Sequence, residues 1–336
     1  MEQKVKIDIS VYAILKILAV LVIIAFLYVI RDILLLLFIV IILVAAFRPV
    51  IRSWQSKIGK AGSITLFLIV VAVLTSGFFY LIVPPFVTQT KQLIDNTPDL
   101  LAKFSFARDH SPTFEKFTSA IYQSLGNISN SVLNFTAGLF GGIFTFFTAF
   151  ILMIYLLIDE VIFKKIIKFV VPPEKKELAL DLVEKISQKI GSWFRGQMIL
   201  GFVMGLLTYI GLSIIGVKYA IILAVIAGVL EIVPFFGPLI AGALACLVAV
   251  TTAPISAVFV AALAILLNQL ENNFLVPKIM QKAIGLPPAI IIIAILIGGK
   301  LLGVLGALLA APISGIIYVI IQEWDTLKDI ANRNDS

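Results

Sequence analysis

Long apolar runs separated by short clusters of charge organise this chain. Residues 11–30, 33–47, 62–83, 138–158, 196–216, 219–233, 239–250, 255–270 and 287–321 are almost wholly hydrophobic. A helix needs about 20 mostly apolar residues to cross the hydrocarbon of a bilayer, and several of these runs approach or exceed that length. They are too long and too uniform for a β-barrel, whose strands alternate over about 10 residues. The pattern predicts an all-α polytopic membrane protein of about 7–8 membrane segments. Run 11–30 exceeds a signal-peptide core and no A-x-A-like site closes it, so it reads as a retained first span. Only Arg31-Asp32 separates it from the next run, which predicts a helical hairpin there.

Charge then sets an orientation. Arg48, Arg52, Lys57 and Lys60 stand together with no acid among them, Lys164 to Lys189 form a second basic cluster, and Lys278 and Lys282 a third. Basic loops mark the cytoplasmic side, so these segments and both termini are expected there, in a bacterial cytoplasmic (inner) membrane. Residues 86–135 are then external. Phe114, Phe117, Ile121, Leu125, Ile128 and Val132 mark one helical face of that segment. With no obvious partner in the chain, this face implies a homo-oligomer. Segment 161–195 carries Leu178, Leu182, Ile186, Ile190 and Trp193 on one face and many lysines on the other. It reads as an amphipathic helix, lying on the anionic inner leaflet or packed beneath the bundle. The resulting division is 1–85 (N-terminal transmembrane helices), 86–135 (external amphipathic segment), 136–160 (transmembrane helix), 161–195 (cytoplasmic amphipathic helix), 196–325 (transport core) and 326–336 (cytoplasmic tail).

Composition agrees: 61% of residues are hydrophobic and 13% charged, against about 25% charged in a soluble globule. The excess of 26 basic over 19 acidic residues lies between apolar runs, which speaks for orientation and against nucleic acid. Cys246 and His110 are each the sole residue of their type, so no disulfide framework or metal site of cysteines and histidines is expected within the chain.

Glu231 is the most informative residue. It is the one charge between residues 219 and 250, in the run Glu231-Ile-Val-Pro234-Phe-Phe-Gly237-Pro238. A carboxylate at bilayer depth is costly, and Pro234, Gly237 and Pro238 deny the backbone a continuous helix. The flanking apolar pieces are short for spans, which predicts a re-entrant hairpin. A second stretch lies over the first: Gly216 falls on Gly285, Ala220 on Ala289, Glu231 on Lys300 and Gly237 on Gly306. One intervening span would make the two copies an inverted repeat of re-entrant or broken hairpins, a recurrent plan of secondary transporters.

Several motifs together resemble one family. Trp193-Phe-Arg-Gly-Gln197, Glu231-Ile-Val-Pro-Phe-Phe-Gly-Pro238, Glu271-Asn-Asn-Phe-Leu-Val-Pro-Lys-Ile-Met280, Gly285-Leu-Pro-Pro288 and Ile297-Gly-Gly-Lys-Leu-Leu-Gly-Val-Leu-Gly-Ala307 are similar to the AI-2E family, the autoinducer-2 exporter-like permeases of bacteria. The resemblance covers the chain in length and segment order, and its specific motifs lie in the C-terminal half. It implies a permease, with members linked to efflux of the furanone signal autoinducer-2 or to Na+ or Li+ exchange for protons.

The residues themselves support a carrier without cofactor. Glu231, Pro234, Gly237 and Pro238 form the first candidate group, for substrate or ion binding and coupling. A Glu231 permanently paired to Lys300 or Arg195 is the competing reading. Asn268, Gln269, Glu271, Asn272 and Asn273 form a polar cluster offering donors and acceptors to a hydroxylated solute, or else a helix end emerging into water. Arg195 and Gln197 are secondary candidates, with interfacial snorkelling as the alternative. Gly201-x-x-x-Gly205 and Gly299-x-x-x-Gly303 suit close helix packing. Gly299-Lys300 lacks the remaining P-loop residues, there is no H-E-x-x-H, and His110 has no triad pattern, so no enzyme is expected. The implied partners are the bilayer and a small polar solute or Na+, Li+ and H+.

Overall fold

The computed structural model describes residues 11–81, 144–159, 171–280 and 285–323, with isolated positions between 84 and 92 and between 165 and 169. The segment expected to be external, with its apolar stripe Phe114 to Val132, lies outside the described residues. Among the described residues all regular structure is helical. In chain order the helices are α1 (Val11–Val29), α2 (Arg31–Leu81), α3 (Phe144–Ile158), α4 (Lys176–Ile215), α5 (Ala220–Leu230), α6 (Phe236–Thr252), α7 (Pro254–Leu270), α8 (Val276–Ile279) and α9 (Pro288–Gln322). A π-helical turn, Glu271–Leu275, joins α7 to α8. Four of these helical stretches, Arg31–Phe78, Lys176–Ile215, Ile255–Ile279 and Pro288–Gln322, are long and apolar enough to cross a membrane, and shorter apolar helices accompany them. The coarse expectation of a helical multi-pass membrane protein holds.

The first hairpin is not where the charges suggested. Ile30 N–H donates to Phe26 O and Leu34 N–H to Ile30 O, each at 3.0 Å, so helical bonding carries across the junction of α1 and α2. Neither Arg31 nor Asp32 breaks a helix, and no glycine or proline stands beside them. The chain folds back at Gly59 instead, where φ is 72° and ψ 175°. That conformation is open to glycine and strained for other residues. Val40, Val44 and Ile51 from the first arm of α2 then pack with Ile64 and Phe67 from the second and with Met153 and Leu157 of α3. Phe47 and Phe67 meet across the arms, ring centroids 5.1 Å apart.

α4 is the axis of the molecule. It runs unbroken through Gly196, so the amphipathic stretch and the following span are one helix. Its lower apolar face packs on the bundle: Ile190 packs with Ile42 and Leu309, and Ile186 and Phe194 pack against them. α4 ends at Gly216 (φ 77°), with Val217 N–H reaching back to Leu212 O at 3.0 Å, the usual left-handed closure. Leu212 then joins Ile222 and Leu223 of α5, Ala245 and Ala249 of α6 and Val260 of α7 in a buried cluster. Near the charged end, Arg48 faces Glu184 at 3.8 Å, and Lys185 bridges Asp181 at 2.9 Å and Glu323 at 2.8 Å. Such partly exposed pairs contribute little energy but align α2, α4 and the end of α9.

Two hairpins complete the fold. α5 and α6 span about 16 Å and 25 Å at 1.5 Å per residue, each short of the roughly 30 Å hydrocarbon core. They approach so closely that a Cβ on Gly237 would collide with the Leu230 carbonyl. α9 is also two arms, folded at Gly303 (φ 62°, ψ −142°), with Gly298 and Gly306 packed backbone to backbone. Gly303 is therefore a turn, and Gly298 with Gly306 makes the close approach expected of Gly299-x-x-x-Gly303. Gly201-x-x-x-Gly205 does pack: Cβ atoms there would stand 2.6 Å from Gly228 O and 3.2 Å from Ala224 O of α5.

Candidate functional site

The break after α5 positions Glu231. Its N–H still bonds Ala227 O at 3.0 Å, as the last donor of the helix, but Pro234 supplies no N–H and the chain turns. Phe235 sits at φ 67°, ψ −45°, and Phe236 N–H donates to Pro234 O at 2.8 Å, a strained positive-φ γ-turn. The Glu231 side chain, only 1% exposed, is thereby fixed against α4 and α7. Gln197 of α4 donates its side-chain amide to the Glu231 backbone carbonyl, which the broken helix leaves without a helical donor.

Glu271 arrives from the other side. It opens the π-helical turn, where Val276 N–H bonds Glu271 O, and is 5% exposed. The helix does not end at the asparagines; it continues through the π turn to Ile279. Such single π turns inserted in α-helices recur at functional sites. The Glu231 and Glu271 carboxyl groups lie within hydrogen-bonding reach of one another. One oxygen of each, Glu231 Oε1 and Glu271 Oε2, is buried with no hydrogen-bond partner among the described residues. Like charges facing each other away from water repel, so the arrangement is stable only with a proton or a cation in it.

Both acids border a cavity of about 280 Å³ whose other walls include Trp193, Gln197, Pro234, Phe235, Asn272 and Met280. A second, narrower cavity of about 40 Å³ begins at Glu231 and is bordered by Thr208, Pro238 and Asn268. Asn272 Nδ2 donates to Asn268 Oδ1 and to Asn268 O, both at 2.9 Å, connecting the walls of the two spaces.

The remaining candidates fall elsewhere. Gln269 and Asn273 are exposed and bonded to each other at 2.9 Å, on the face away from the cavities. Gly237 serves the close approach of α5 and α6. Lys300 is exposed near the fold of α9, and among the described residues no ion pair joins Glu231 to Lys300 or Arg195. Arg195 instead donates to Ala46 O at 2.7 Å and Ala45 O at 3.5 Å. Pro49, four residues after Ala45, has no N–H to give, so the guanidinium satisfies carbonyls the proline disturbs. Trp193, Phe235 and Met280 stand in the family-like motifs but, like Thr208, were not expected as site residues, because apolar or hydroxyl residues at helical spacing look the same whether they line a cavity or a packed core.

Fold and site together define a multi-pass helical membrane protein with a buried acidic cavity between a broken hairpin and a π-turned helix. The model of the AI-2E family transporter matches residues 17–326, and the chain belongs to that family. Among its relatives, YueF of Bacillus subtilis, named a transport protein, is 27% identical over 296 residues, 82% of this chain and 80% of that protein. YrrI of the same organism, also named a transport protein, is 28% identical over 50% of this chain and 48% of its own length. PerM of Escherichia coli, named a permease, is 27% identical over 45% of this chain and 44% of its own.

Proposed function

We propose that the chain is a proton-coupled secondary transporter of the bacterial cytoplasmic membrane that exports a small polar solute such as autoinducer-2. The observation that carries this reading is the pair of buried carboxyls, Glu231 and Glu271, each with an unpartnered oxygen beside a cavity of about 280 Å³. A group that takes up and releases a proton as access changes side is what coupling requires, and Gln197 and Asn272 offer amides to hydroxyls of a solute. Loading is cytoplasmic: the cavity lies toward the end of α4 that carries Lys185 and faces Arg48, and basic residues mark the inner side. The end of α9 is cytoplasmic in this orientation, since Glu323 pairs with Lys185. By contrast, α1 runs on from the first arm of α2 and carries Val11 away from Arg48, against the expectation that both termini lie inside. The working unit is a homo-oligomer.

The matching left-handed glycines Gly216 (φ 77°) and Gly285 (φ 69°), each leading into a helix, support an inverted repeat, as do the close contacts at Gly237 and Gly306. In this reading α5–α6 and α9 are the two re-entrant hairpins.

A second reading, exchange of Na+ or Li+ for protons, is favoured by the all-oxygen donor set of Glu231, Glu271, Gln197 and Asn272, which suits hard cations. The test is gradient-driven flux in proteoliposomes, with an autoinducer-2 panel and a Na+ or Li+ panel run side by side. Export that follows the proton gradient and is uncoupled by Glu231→Gln or Glu271→Gln supports the proposal. Flux indifferent to the gradient in the parent protein sinks it.

A further inference from the structure

Glu231 borders both cavities, and the narrow one plays no part in the reading above. It holds about 40 Å³, room for more than one water at the roughly 10–15 Å³ each requires. Its walls hold Thr208 of α4 and Asn268 of α7, and its far end is closed by Leu212, Ala245 and Val260 of the buried cluster. An ordinary packing void has apolar walls, whereas this one carries a hydroxyl, an amide and a carboxyl.

The stripe along α4 is continuous. Trp193, Gln197 and Leu200 line the wide cavity, and Met204, Thr208 and Leu212 line the narrow one, each three or four residues after the last. That spacing keeps all six on one helical face. From Trp193 to Leu212 the stripe rises about 28 Å, close to the roughly 30 Å of the hydrocarbon core. The facing helix behaves alike: Val260, Ala264 and Asn268 border the narrow cavity and Glu271, Asn272 and Val276 the wide one.

We infer that the two cavities are one translocation path across the membrane, cut by the Glu231 side chain, with the space at Thr208 as the station beyond it and Leu212, Ala245 and Val260 as the far gate. The inference rests on the transporter reading and adds the route. In this structure the near side is a vestibule and the far side is shut by side chains that are 1%, 4% and 1% exposed. A small polar solute or its water of hydration exchanges carboxyl and amide contacts at Glu231 and Asn272 for the hydroxyl of Thr208 and the amide of Asn268. It leaves when α6 and α7 part at Ala245 and Val260.

The test uses the full chain in proteoliposomes on a Cys246→Ser background, with a single cysteine at Thr208→Cys or at Asn272→Cys. The probe is a membrane-impermeant cationic methanethiosulfonate, applied from either side with and without an imposed proton gradient. Asn272→Cys should react from the vestibule side at rest. Thr208→Cys should react slowly at rest, react from the opposite side once the gradient drives transport, and lose flux on modification when the same vesicles are compared before and after. Because the blocking group is added after folding, misassembly does not explain the loss. A Thr208→Cys that stays unreactive while flux runs, or that transports unchanged once modified, overturns the path and leaves the transporter reading standing. A Cys246→Ser parent with no gradient-driven flux counts against both.

Discussion

Glu231, at the break between α5 and α6, faces Glu271, at the start of the π turn, and among the described residues no ion pair to a basic side chain joins either acid. Replacing either acid by its amide removes half of a like-charged pair while keeping its shape. Glu231→Gln and Glu271→Gln should therefore assemble normally and melt no lower than the parent, while gradient-coupled flux is lost. Thermal unfolding in detergent beside proteoliposome flux measures both. A strongly destabilised Glu231→Gln would mean that the carboxylate anchors the fold.

Gln197 holds the helix break from across the bundle. Gln197→Leu fills a similar volume and leaves the Glu231 carbonyl buried without its donor, at a cost of about 1–3 kcal/mol. Gln197→Asn keeps the amide but shortens it by a methylene, so it should recover little of that loss. Chemical denaturation of the two variants checks the order, and a Gln197→Leu protein as stable as the parent would refute the role.

How far the site could be read from the sequence depended on how each residue signals. Glu231 was legible because one charge in a long apolar run is rare, and the break beside it because proline and glycine act locally. Its partner was not. The match of Glu231 to Lys300 is a relation between repeat positions, and position in a repeat does not imply contact: Lys300 is exposed near the fold of α9. Glu271 was a candidate but read equally as a helix end because it sits among asparagines, and only the π turn, invisible in composition, carries the helix on and leaves the acid buried. The Arg31-Asp32 hairpin failed for the opposite reason: charge suggested a turn where no residue breaks the helix. The next reversal, between runs 33–47 and 62–83, does fall in the basic stretch, at Gly59.

Arg195 and Pro49 act as one unit. Arg195→Met should destabilise the protein by about 1–3 kcal/mol, because carbonyls at Ala45 and Ala46 lose their donor within the bundle. Pro49→Ala restores a backbone N–H to that turn, so in its background the same change at Arg195 should cost less. A double-mutant cycle by thermal unfolding should give a coupling of about 0.5–3 kcal/mol. Strict additivity would show that the guanidinium serves something other than the kink.

Lys300 separates the geometry from the repeat alignment. Were it the counter-ion of Glu231, removing it would strand a buried charge and cost about 3–5 kcal/mol. With the side chain exposed and no ion pair to Glu231, Lys300→Met should shift the unfolding midpoint little, within about 0.5 kcal/mol, as surface changes do. It should also fail to alter the effect of Glu231→Gln. A large loss in Lys300→Met, rescued by Glu231→Gln, would restore the pair.

Gly237 and Gly306, matched in the repeat, should respond alike if the two hairpins are built on one plan. A methyl at Gly237 meets the Leu230 carbonyl and a methyl at Gly306 meets the Gly298 carbonyl, backbone in both cases, so neither neighbour yields by a rotamer change. Gly237→Ala and Gly306→Ala should each cost about 1–3 kcal/mol of stability by forcing the arms apart. Gly77→Ala, with open space around its position, is the control and should be close to neutral. Thermal midpoints of the three variants in one detergent decide it. Losses at Gly237 and Gly306 with none at Gly77 support two equivalent closed hairpins, whereas a Gly306→Ala protein as stable as the parent would show that the arms of α9 are not held together there.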